Sequence, residues 1–163
     1  MKDMPIIHWR SAALAGIAAG VVATVGQIVL WWVSSEPLPA ILFRDARLTA
    51  AIVMGREVLP PPATFYWSVM LVATLVHFAL SITYALTLSV FISRLSMLLS
   101  LLAGAAFGLL LYAINMYGFT FVFPWFVAAR EWVTAATHVV FGTVAAAVYK
   151  AWSTRTYRLM RLG

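Results

Sequence analysis

The chain contains no cysteine and only five acidic residues among its 163. Without thiols it can form no disulfide, thiolate metal site, iron–sulfur centre or covalent c-type haem link, so any cofactor must use other ligands. Charged residues make up only 10% of the chain, against about 25% in soluble domains. No P-loop, dinucleotide fingerprint or Gly-x-Ser-x-Gly context occurs, and Glu131 is the one acid near the bilayer, which leaves little for enzyme chemistry. We expect no catalysis.

What fills the chain instead is apolar: 64% hydrophobic residues and a mean hydropathy of +0.96. Its solvent is the lipid bilayer. Four spans of about 20 residues would use nearly all of it, leaving no room for a soluble domain. The net charge of +6 then reports membrane topology rather than nucleic-acid binding.

Four long apolar intervals locate the spans, at about 11–33, 65–93, 95–117 and 126–149. Aromatic residues stand at their ends, among them Trp9, Trp31, Trp67, Tyr117, Trp125 and Trp152, as amphipathic rings do at membrane interfaces. Lys2, Arg10, Arg94, Lys150, Arg155, Arg158 and Arg161 fall on one side, and Arg44, Arg47, Arg56 and Arg130 on the other. The richer side is expected to be cytoplasmic, with both termini there. The first interval, at 23 residues, exceeds the 7–15 apolar residues of a signal peptide and is expected to be retained. The expected architecture is all-α: an integral membrane four-helix bundle, up-down-up-down.

A shift of 88 residues aligns Leu14-Ala15-Gly16-x-Ala18-x-Gly20 with Leu102-Ala103-Gly104-x-Ala106-x-Gly108 and places Gln27 on Asn115. Spans two and four each carry a histidine followed four residues later by a small residue, His77 with Ser81 and His138 with Gly142. The repeating unit is thus a two-helix hairpin, and two such hairpins would form a parallel repeat. Gly16/Gly20 and Gly104/Gly108 put two Cβ-less positions on one helix face, serving either internal packing or a homo-oligomer seam.

Between spans one and two, prolines 37 and 39 and 60–62 bound a segment too apolar for a free loop. Over about 40–59, Ile41, Leu48, Ile52 and Leu59 form one helical stripe, and Arg44, Asp45, Arg47, Arg56 and Glu57 a polar side. Such a segment lies on the membrane surface, as a cover or as a lid. Arg44-Asp45 and Arg130 would matter as anchors for an anionic group.

Gln27, His77, Tyr84, Tyr112, Asn115 and His138 are the polar side chains left within the hydrocarbon, where desolvation demands a partner. His77 and His138 sit at comparable depth, on spans that occupy a diagonal of the bundle about 13 Å across. They could be axial ligands of a b-type haem, members of a proton or solute path, or interhelical hydrogen-bonding groups. Glu131 shares a helical face with Ala135 and His138 and could relay a proton to it. No third or fourth ligand for a metal is evident.

The Leu-Leu-Ala-Gly-Ala run at 101–105, Phe-Pro-Trp-Phe at 123–126 with Glu131 and His138 after it, and Pro37-Leu-Pro39 together resemble the YagU-like family of small bacterial inner-membrane proteins. The resemblance implies a bacterial inner-membrane location, which makes the 40–59 segment periplasmic, and a link to acid tolerance. The chain also looks like small four-span proteins labelled sodium:proline symporters, although a symporter of that kind needs far more helices. Three functions remain open: a small accessory protein, homo-oligomeric or part of a larger membrane complex; an oligomeric proton or small-solute transporter; and a bis-histidine haem electron carrier.

Overall fold

The computed structural model describes residues 7–162, with side chains through 153. Lys2 and the side chains of Arg155, Arg158 and Arg161, which entered the charge count, lie outside the described residues. Five α-helices account for most of the chain: α1 (Trp9–Val33), α2 (Ala40–Met54), α3 (Trp67–Ile92), α4 (Met97–Ala113) and α5 (Trp132–Leu162). Among the described residues there is no strand. Among the described residues four stretches are long and apolar enough to cross a membrane: α1, α3, α4 extended to Phe121, and α5 as far as Ser153.

Two boundaries differ from the apolar intervals. The fourth span begins at Trp132, not near 126, because Pro124–Ala129 winds as a 3-10 segment and Arg130-Glu131 separates it from α5. Hydropathy does not distinguish a 3-10 coil from an α-helix when both are apolar. The third span does not end as α-helix either: a π-helical turn, Ile114–Gly118, follows α4 and widens its last turn.

Packing is built on small residues. Ala12, Ala15 and Ala19 of α1 are fully buried with Ala145 and Ala146 of α5, and Leu88, Ile92 and Tyr149 close the same core. In lipid, apolar surface alone does not drive helices together, so close backbone approach must. The glycines show how. A Cβ on Gly16 would stand 2.7 Å from the Ser81 carbonyl oxygen, and one on Gly20 2.9 Å from Ser81 Oγ. On the other hairpin a Cβ on Gly104 would strike the Gly142 carbonyl, and one on Gly108 the His138 carbonyl. All four glycines face neighbours inside the chain.

These contacts trace the internal repeat. The 88-residue shift carries Gly16 and Gly20 onto Gly104 and Gly108, while a 61-residue shift carries His77 and Ser81 onto His138 and Gly142. Each hairpin seats its histidine helix, antiparallel, at the same register against its glycine helix. The symmetry breaks at the seams between hairpins. Helix α5 packs along α1, yet the related pair, α3 and α4, is hardly in contact despite the short turn that joins them.

Helix α2 lies against α3, beside that open seam. Its apolar stripe turns inward as expected, with Ile41 and Leu48 buried. Arg47 departs from the expected polar side. It is 7% exposed, donates to the carbonyls of Val58 (2.7 Å) and Thr64 (3.2 Å), and lies over the Tyr66 ring. The carbonyls of a proline-rich return loop need donors that prolines cannot supply, and Arg47 supplies them.

Candidate functional site

Where α3 and α4 part, beneath α2, a cavity of about 660 Å³ penetrates the bundle. Its walls are mainly apolar, with Phe78, Phe119, Phe123 and Phe141 contributing rings. Every span also presents a polar side chain to it: Gln27 from α1, His77 and Ser81 from α3, Asn115 from the π-helical turn and His138 from α5. Of the six polar side chains singled out within the hydrocarbon, all but Tyr112 line the cavity, and Glu131 lies outside the lining.

The two histidines sit differently. Around His138 the hydrogen bonds form a complete chain. Tyr84 donates its hydroxyl to Asn115 Oδ1 (2.9 Å), Asn115 Nδ2 donates to His138 Nε2 (3.2 Å), and His138 Nδ1 donates to the Thr134 carbonyl (2.8 Å). This order fixes the neutral Nδ1–H tautomer and uses both ring nitrogens. The Tyr112 ring meets the imidazole edge-on. His77 has only half of this. Its Nε2 makes long contacts of 3.4 Å to the Gly20 carbonyl and to Thr24 Oγ1, and Nδ1 has no partner among the described residues. Ser81, one turn further on, is 4% exposed, and its hydroxyl likewise has no partner among them.

At the rim, α2 is fastened by a polar knot. Arg44 donates from Nε to Asp45 Oδ1 (2.8 Å) and reaches Glu131 Oε1 at 3.3 Å, Trp31 Nε1 donates to the same Glu131 oxygen (3.4 Å), and Gln27 Nε2 donates to Asp45 Oδ2 (3.4 Å). Burial pushes the Asp45 carboxyl up to about 6, with Arg44 pulling it down and Glu131 adding to the rise. For Arg44, burial works against the charge, but Asp45 and then Glu131 outweigh it and its pKa is raised.

Several expected roles meet other arrangements. Glu131 is engaged by Arg44 and Trp31, and the hydrogen-bond chain at His138 ends on a carbonyl, which accepts a proton donor but passes no proton on. Arg130 donates to the Met116 carbonyl (2.6 Å) and Thr120 Oγ1 (2.8 Å) and stacks on Tyr117, so it holds the turn after α4 rather than facing the cavity. Arg44 is occupied by two carboxylates. The Nε2 atoms of both histidines point at protein partners, so axial coordination would have to displace Asn115 on one side and the Gly20 carbonyl on the other. Among the described residues no three His, Asp or Glu side chains gather as a metal site would need.

Sequence reasoning missed Thr24 and the part played by Trp31. Thr24 follows Gly20 by four residues, hence shares the face that meets His77, and that spacing was a usable signal. Trp31 was read as an interfacial ring, yet it is 1% exposed and lines the cavity. No family model matches the chain, and neither a curated protein nor a solved structure is significantly similar to it, so the resemblance to YagU-like proteins rests on the quoted residues alone.

Proposed function

We propose that the chain is a small, non-enzymatic protein of the bacterial inner membrane, with both termini cytoplasmic, that binds a molecule drawn from the bilayer in the cavity beneath α2. The observation that carries this reading is the cavity itself. It lies at the one seam where the repeat's packing is not completed, and its volume falls in the range of about 300–1,000 Å³ usual for ligand pockets. Thr74 and Phe119, which line it, are also exposed on the outer surface of α3 and of the segment after α4, so its mouth faces lipid in a membrane. Helix α2 is the cover on the periplasmic side. Acting as an accessory or carrier subunit needs no transmembrane path, which four helices alone rarely enclose. If the chain also assembles as a homo-oligomer, its seam uses surfaces other than the two glycine pairs.

Thermal melting tests the reading. A ligand that binds only the folded state raises the melting temperature by mass action. We expect delipidated wild type to gain stability when bacterial membrane lipid extract is restored, and Thr49→Trp, which fills the cavity from α2, to gain none. An equal gain in both would show that lipid acts on the outer surface only.

A further inference from the structure

We infer that the ligand is a neutral amphiphile with a hydroxyl-bearing head, seated on His77 and Ser81. The inference rests on the binding role proposed above and names the chemistry of that site. Charge comes first. Among the described residues no lysine or arginine lines the cavity, and their one charged lining residue, Asp45, is already matched by Arg44. An anionic head would find no cation there, and a cationic head would have to break an existing pair, so either would be desolvated without compensation. Neutral heads carry no such cost.

The hydrogen-bonding atoms come next. Nε2 of His77 donates to the Gly20 carbonyl, which leaves Nδ1 of the neutral ring as an acceptor. Ser81 lies four residues on, and so beside it on the same face of α3. The residue is 4% exposed and lines the cavity, and its hydroxyl has no partner among the described residues. A ligand hydroxyl can donate to His77 Nδ1 and accept from Ser81 Oγ, satisfying both at once.

The repeat supplies an internal control. In the matching hairpin the histidine is saturated by Asn115 and Thr134, and the residue in the place of Ser81 is Gly142. That register packs without a hydroxyl. The two hairpins therefore differ at the histidine: both ring nitrogens of His138 are engaged by protein groups, whereas His77 and Ser81 keep open hydrogen-bonding atoms on a wall of the cavity. Thr134, its buried hydroxyl also without a partner among the described residues, lines that cavity from the other side.

Photolabelling of the full chain in phosphatidylcholine nanodiscs tests this with three diazirine probes of equal chain length: a monoacylglycerol, a fatty acid and an alkyltrimethylammonium. We expect the monoacylglycerol to label cavity-lining segments of α3 and the turn after α4 well above the charged probes. Its labelling should fall about five- to tenfold in Ser81→Ala and in His77→Leu, both checked for unchanged melting. Equal or stronger labelling by a charged probe at those segments would overturn the neutral class while leaving the binding role standing. Preference for the monoacylglycerol that survives both substitutions would overturn the assignment to His77 and Ser81. Labelling confined to outer helix faces, unchanged in Thr49→Trp, would overturn both the inference and the binding role.

Discussion

Gly108 and Gly26 differ in what stands opposite them. A Cβ on Gly108 would strike the His138 carbonyl, whereas one on Gly26 meets nothing within 4 Å. Gly108→Val should therefore push α4 from α5 and cost about 1–3 kcal/mol, while Gly26→Ala should stabilise by about 0.5–1 kcal/mol through helix propensity. Thermal or denaturant unfolding in detergent separates the two, and equal effects would contradict the close helix approach. Asn115 is the other residue whose loss should be felt. Asn115→Leu leaves both the Tyr84 hydroxyl and His138 Nε2 unpaired, a cost of about 1–3 kcal/mol measured in the same way.

Helix α2 is held by polar contacts around Asp45 as well as by its apolar stripe, and burial of that carboxyl makes its docking depend on pH. The Asp45 carboxyl is raised from 3.8 to about 6 by burial, facing Arg44, Gln27 and, more distantly, Glu131. A carboxyl whose pKa is higher in the docked state favours docking most when protonated. The contribution is complete below about 4 and is lost as pH rises through about 6, on the order of 3 kcal/mol in all. Hydrogen exchange of α2 amides, corrected for intrinsic rates, should show more protection on the acid side of this window. Asp45→Asn should flatten the dependence, and an unchanged profile in that variant would place the effect elsewhere. At this scale the sequence was partly legible. The stripe of Ile41, Leu48 and Ile52 announced an amphipathic helix, because periodicity is local. The burial of Arg47 was not announced, since it depends on where the carbonyls of a proline-rich loop come to rest.

For the whole molecule, the four spans were legible because insertion into lipid is decided by hydropathy over some 20 residues. The two-helix unit was legible from the 88-residue match and the two histidines, but the glycine pairs left internal packing and an oligomer seam both open, and only the contacts of Gly16/Gly20 with Ser81 and of Gly104/Gly108 with Gly142 and His138 place them inside. The start of the fourth span was misplaced by the apolar 3-10 segment before it. What no pattern in the sequence disclosed is the break in symmetry, because only the assembled bundle shows that α1 and α5 close on their alanines while α3 and α4 stay apart. The cavity follows from that break, as does the claim that something occupies it. Native mass spectrometry of the chain released from nanodiscs made with bacterial lipid tests that claim most directly. We expect wild type to carry one bound small molecule per chain and Thr49→Trp to fly at the bare mass; bare wild type, or the same adduct on both, would contradict it.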